Sequence, residues 1–202
     1  MNSVFNNLSA FKNCYCALLL VIAIVFFPNP SWAQAPTLEE ISQQLRLNED
    51  LHGEFVQRKY LSILPSPLQS RGNFAFHPDS GLVWETQQPL QSKLTFSAQG
   101  ISQEQHGQQT WLARADQPGV AVIGQILTAM LTRDWETLTN YFSIEVVADS
   151  SAAQWHLLLT PTQATLSTVI QRIALSGDQH LRQMILFEQN NDRTEIDFTT
   201  AQ

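Results

Sequence analysis

The spacing of hydrophobic positions changes several times along the chain, and each change marks an element. Leu38, Ile41 and Leu45 recur at helical spacing. They follow Thr37 and Glu40, which have capping-box spacing, with a hydroxyl at the N-cap and a carboxylate three residues on. The pattern predicts a helix over 38–50 with Glu39, Gln43 and Arg46 on its polar side. From Gly53 the period falls to two: Phe55, Gln57, Lys59, Leu61 and Ile63 share one side, and Val56, Arg58, Tyr60, Ser62 and Leu64 the other. Further strands are expected at 69–77, 82–86 and 93–97, with weaker candidates at 101–105 and 109–112. Short strands with regular turn signals between them argue for an antiparallel meander. Pro118-Gly119 then opens a helical segment in which Val120, Ile123, Ile126, Leu127, Met130 and Leu131 recur, and Asp134 caps a following turn with Trp135, Leu138, Tyr141 and Phe142. Strands resume at 143–147, 155–160, 172–175, 181–188 and 193–199. Gly177-Asp178 and Asn190-Asn191-Asp192 are hairpin turns between the last three, and 166–169 reads as a short helical turn.

The first 33 residues follow a different logic. A polar start carrying Lys12 precedes an unbroken apolar run from Cys16 to Phe27, then Pro28-Asn29-Pro30 and Ser31-Trp32-Ala33. This is the pattern of a secretory signal cleaved after Ala33. A membrane anchor is the competing reading, but 12 apolar residues are too few to span a bilayer comfortably. Residues 34–202 then form a single domain, with no repeat or linker dividing them. Both cysteines, Cys14 and Cys16, leave with the leader, so the domain is held by its core alone. Without Lys12 the domain has 11 − 1 = 10 basic against 18 acidic residues, a net charge of −8. That balance argues against nucleic acid or an anionic membrane surface as an electrostatic partner.

No nucleophile elbow, H-E-x-x-H helix, phosphate loop or dinucleotide fingerprint occurs. His52, His77, His106, His156 and His180 never pair at helical spacing, and Glu85 and Glu104 sit beside turns, where a solvated face is the plain reading. A non-enzymatic protein with no cofactor and no metal is expected. What remains is a bunching of aromatics on the first strands: Phe55, Phe74, Phe76, Trp84 and Phe96. They make either an ordinary core or an apolar face wider than two short helices can fill, leaving a cleft.

The order of motifs resembles the LolA family of periplasmic outer-membrane lipoprotein carriers. The helix is followed by Gly53-Glu54-Phe55-Val56-Gln57, then Arg71-Gly72-Asn73-Phe74-Ala75-Phe76, His77-Pro78, Trp84, Pro89 and Gln99-Gly100. The resemblance implies an incomplete antiparallel β-barrel, a curved sheet whose concave apolar face is lidded by helices, taking up acyl chains between sheet and lid. On that reading the sheet side is Phe55, Phe74, Phe76, Trp84, Leu94 and Phe96, and the lid side Ile123, Ile126, Leu127 and Met130. The partners implied are an acylated lipoprotein or lipid cargo, an inner-membrane donor complex and an outer-membrane acceptor, met by a periplasmic monomer.

Two departures from the family pattern stand out. His77 occupies the place of the arginine that ties sheet to lid, and imidazole lacks the five donors of guanidinium, which makes His77 the lid-latch candidate. The chain also ends soon after Phe198. Together with Leu159-Thr160-Pro161 and the stretch from Arg172 to Gly177, this looks like a LolA-like branch associated with aryl polyene or related lipid synthesis, so a polyene lipid or glycolipid is an alternative cargo. A lipid-sensing module on the same fold is the alternative function. A secreted hydrolase is a third reading and requires a His–carboxylate pair in the cleft, at His77 or His106.

Overall fold

The computed structural model describes residues 37–44, 50–105, 107–114, 120–151 and 153–200, apart from the side chains of 42–44, 113 and 120–123. The leader and its cleavage point lie outside the described residues, as does His106. The chain runs α1 (Leu38–Gln44), β1 (Leu51–Tyr60), β2 (Leu68–His77), β3 (Gly81–Gln88), β4 (Ser92–Ser97), β5 (Gly100–Gln105) and β6 (Gln108–Arg114). Then come α2 (Val120–Thr132), α3 (Trp135–Thr139), β7 (Phe142–Val146), β8 (Trp155–Pro161), α4 (Ala164–Ser167), β9 (Ile170–Gly177), β10 (Leu181–Glu188) and β11 (Arg193–Thr200).

All eleven strands form one antiparallel sheet in the order β6-β5-β4-β3-β2-β1-β11-β10-β9-β8-β7. Each half of the chain is a meander, and the two halves join where β1 pairs with β11. The sheet is curved and unclosed, with β6 and β7 at its free ends. The chain passes from one free edge to the other through α2 and α3. These helices therefore cross the sheet, with α2 packed on β3, β5 and β6 and α3 on β7. The capping box at Thr37 forms as expected: Glu40 N–H donates to Thr37 Oγ1 at 3.2 Å and Thr37 N–H to Glu40 Oε2 at 2.7 Å. Asp134 caps α3, accepting from Thr137 N–H at 3.0 Å.

Two boundaries depart from the sequence pattern. The helix expected over 38–50 is described as far as Gln44, and residues 45–49 lie outside the described residues; β1 begins at Leu51, ahead of the expected Gly53, because Leu51 pairs with Phe76 and extends the β1–β2 ladder. The alternation through Leu61 and Ile63 does not continue as strand. β1 ends at Tyr60, and the Leu64 N–H donates back to the Leu61 carbonyl at 2.9 Å, turning the chain.

Alternation places Phe55, Phe74, Leu82 and Trp84 on one face with Ile196, Phe198, Leu175 and Leu157, and all are buried. Phe55 lies opposite Gly72. A side chain there is impossible without moving β3, since a Cβ would sit 1.8 Å from the Glu85 carbonyl oxygen. The Phe55 ring uses the gap to stack on Trp84, with centroids 3.9 Å apart. Phe198 meets both Phe74 and Trp84 edge-on. Each such pair adds about 0.5–1.5 kcal/mol beyond its area. The opposite face is polar: Arg58 Nη1 lies 2.5 Å from Asp197 Oδ2, and Gln183 Nε2 donates to Asp197 Oδ1 at 2.8 Å.

Candidate functional site

A cleft of about 1090 Å³ opens between α2, α3 and the ends of β2–β6. The sheet contributes Phe76, Phe96 and Ile101 to its wall, and the turns 78–81 and 97–100 form part of the rim. From α2 come Gly124, Gln125, Thr128, Ala129 and Thr132, and from α3 and its ends Asp134, Thr137, Asn140 and Tyr141. Residues 124, 128 and 132 lie one turn apart, so one helical stripe faces the opening. Gly124 allows the close approach: a Cβ there would already touch the Phe96 side chain at 3.4 Å.

The sequence-predicted site divides in two. Phe76 and Phe96 line the cleft. Phe55, Phe74 and Trp84 do not; they are sealed in the aromatic core, with Phe55 only 1% exposed. Leu94 packs partly buried on that core. On the lid side, Ile126 and Met130 are buried in the same core and Leu127 packs against it. The Ile123 side chain lies outside the described residues. The apolar stripe of α2 therefore holds the helix to the sheet, and the neighbouring stripe of small and hydroxyl-bearing residues faces the open space.

The polar groups around the cleft mostly satisfy one another. Gln109 Nε2 donates to Ser102 Oγ at 3.0 Å, Tyr141 O–H to Gln125 Oε1 at 2.8 Å, Thr132 O–H to the Thr128 carbonyl at 2.9 Å, and Thr137 O–H to Asp134 Oδ2 at 2.7 Å. Among the described residues lining it, the charged ones are Asp79 and Asp134, and Asp134 is committed to its cap. No group of three or more His, Cys, Asp or Glu side chains suited to a metal ion occurs among the described residues.

His77 does not reach a lid carbonyl. Its Nδ1 lies 2.9 Å from Asp50 Oδ1, ahead of β1, and both side chains are more than half exposed. This is a His–carboxylate pair, but neither residue lines the cleft. The attachment of the lid that sequence reasoning missed is Arg133, at the α2–α3 junction. It is buried, holds a left-handed backbone at φ 60°, and donates from Nη1 to the Gln179 carbonyl in the β9–β10 turn. Burial lowers its pKa from the usual arginine range. His180, in the same turn, also has its pKa lowered, first by burial and then by the positive charges of Arg133 and Arg182. A lone arginine between two helices carries no periodicity that flags it; its only sequence signal is adjacency to the capping residue Asp134.

The family model of the outer membrane lipoprotein carrier protein LolA matches residues 47–202. Among solved structures, the chain is similar to a LolA superfamily protein from Nitrosomonas europaea at 10% identity, covering 80% of this chain and 89% of that one with a TM-score of 0.45. LprF from Mycobacterium bovis is 13% identical, over 82% of this chain and 93% of that one, at 0.40. The Mycobacterium tuberculosis lipoprotein LppX is 9% identical, over 80% and 92%, at 0.42. No curated protein matches the chain.

Proposed function

The chain belongs to the LolA family of outer membrane lipoprotein carrier proteins, and from that premise we propose that it is a periplasmic binding protein, not an enzyme, that takes acyl chains into the cleft between sheet and lid. The observation that carries the proposal is the open space of about 1090 Å³ against Phe76 and Phe96. That volume exceeds the usual range for small-ligand pockets, about 300–1,000 Å³. Each methylene withdrawn from water contributes about 0.8 kcal/mol, so a long chain gains enough to compete with its membrane.

The helical segment supplies the moving wall. It links two unpaired sheet edges, rests on the core through Ile126 and Met130, and is tied at the α2–α3 junction by Arg133. Entry of cargo exchanges helix–sheet contacts around Gly124 and Phe96 for contacts with the chain, which keeps empty and loaded states close in free energy. The cargo is the acyl anchor of a lipoprotein or a polyene or glycosylated lipid, received from an inner-membrane donor and passed to an outer-membrane acceptor. The lining favours neither an anionic nor a phosphate-bearing head, since no described cation borders it.

The test is uptake of a fluorescent fatty acid by protein stripped of bound lipid. The wild type binds it, and Phe76→Glu abolishes binding with an unchanged far-ultraviolet spectrum. Absence of uptake by the wild type defeats the proposal. Mass spectrometry of lipid extracted from the purified protein identifies the cargo.

A further inference from the structure

Eight large hydrophobic residues are exposed among those described, and five of them, Ile63, Leu64, Leu68, Leu90 and Val169, lie at loops on one end of the sheet. The antiparallel order puts the β1–β2, β3–β4, β10–β11 and β8–β9 connections at that end. Hydrogen bonds tie several of them together. Ser62 N–H donates to Asp192 Oδ1 at 2.8 Å, and Gln189 N–H to the Val169 carbonyl at 2.9 Å. Arg71 Nε reaches Gln88 Oε1 at 2.8 Å, joining the base of β2 to the end of β3. Ile63 is 85% exposed and Leu90 74%. From Leu61 to Ser70 the chain carries no charge.

Charge is distributed unevenly as well. Of the nine Lys and Arg residues within the described segments, six (Arg58, Lys59, Arg71, Lys93, Arg172 and Arg193) sit within a few residues of these connections. Glu85, Glu104, Glu188, Asp192 and Glu195 lie near the same end, while Asp50, Asp79 and Asp178 lie at the opposite strand ends. A chain that is acidic overall therefore presents an apolar end at which cations slightly outnumber carboxylates. Four of the six cations are paired with carboxylates: Arg58–Asp197, Lys59–Glu188, Lys93–Glu104 and Arg193–Glu195. Lys93–Glu104, with both side chains about half exposed, is weak enough to share a phosphate.

We propose that this end docks on a lipid bilayer, with Ile63, Leu64 and Leu90 entering the headgroup region and the flanking cations meeting lipid phosphates. A bilayer fits better than a protein groove. The apolar residues are convex loop tips with aliphatic side chains, their strands are already paired on both sides, and adjacent cations match a phosphate layer. The inference is independent of the cargo reading, because Ile63, Leu64 and Leu90 do not line the cleft and the test is made without cargo.

The experiment is flotation of the purified protein with phosphatidylcholine vesicles, alone and with added phosphatidylglycerol. Wild type floats with both. The double variant Ile63→Ser/Leu64→Ser partitions about tenfold less. Leu112→Ser, an exposed residue on the β6 edge, floats like wild type. Fatty-acid uptake and thermal melting are unchanged in all three proteins, which separates this test from the cargo test. Wild type that remains unbound, a double variant that floats equally well, or an equal loss in Leu112→Ser overturns the proposal. Self-association through the loops, seen as a change in sedimentation that the double variant abolishes without vesicles, overturns it too.

Discussion

Truncating Phe55 and truncating Phe96 should have opposite consequences, because one ring is core and the other is cleft wall. Phe55 is 1% exposed, and its ring stacks at 3.9 Å on Trp84 across the gap left by Gly72. Phe55→Ala opens a void in a region closed on every side, which costs about 3–5 kcal/mol. At this domain size each kcal/mol moves the midpoint by about 2–4 °C, so a fall of about 10 °C is expected. Phe96 already faces open space on one side. Phe96→Ala loses only part of a burial, about 1–2 kcal/mol, but removes a wall of the cleft. Urea unfolding followed by tryptophan emission measures the first effect, since Trp84 is the stacking partner. Fatty-acid titration at a temperature where both variants are folded measures the second. Phe55→Ala should bind normally while folded, and Phe96→Ala should bind weakly. The reverse pattern, a stable Phe55→Ala without uptake beside an unstable Phe96→Ala that binds, would refute the division of the aromatic face into core and cleft.

Arg133→Met should loosen the lid by removing the charged donor to the Gln179 carbonyl, worth about 1.5–3 kcal/mol before the relief of desolvation is subtracted; faster amide exchange in α2 and α3 with an unchanged sheet is the expected readout. Asp197→Asn should flatten the acid limb of the stability curve. Burial of Asp197 pushes its pKa up, but hydrogen bonds from Gln183 and Arg58 and the charge of Arg58 outweigh it, and the pKa falls below 3.8. Its contribution is therefore fully present above the unfolded value of 3.8 and is lost as pH drops through the lower folded value. With both Arg58 and Asp197 about a third exposed, solvent screening leaves about 0.5–1 kcal/mol, and urea midpoints at neutral and strongly acidic pH would reveal it.

The sheet was legible because period-two alternation is a local property: each of the strands expected from the sequence is present, and the boundaries that moved did so for tertiary reasons. Leu51 joins β1 because Phe76 is there to pair with it. Leu61 and Ile63 continue the alternation on paper, but the chain turns after Tyr60, and so an apparent strand became an exposed tip. The site was legible only in part. An apolar stripe on a helix states that the stripe will be buried and does not state against what. On α2 the stripe of Ile126 and Met130 went to the core, and the stripe beside it, Gly124, Thr128 and Thr132, was left facing the opening. The rotation that decides between them brings Gly124 close to Phe96, a residue 28 positions away with three strand connections between them.

That rotation matters more than any strand residue for what the protein can hold. An unclosed sheet leaves β6 and β7 as free edges, and the covalent path between them must cross the sheet. The connection between the edges follows from the strand order, and that it is a helix follows from the apolar spacing of α2. The side chains of α2 then act separately on two quantities. The apolar stripe sets how firmly the cover sits, and the small, hydroxyl-bearing stripe sets how much room lies beneath it. Substitutions on the two stripes should accordingly divide between exchange kinetics of the lid and affinity for cargo, whereas changes on the strands beneath, at Phe55 or Phe74, should register in global stability.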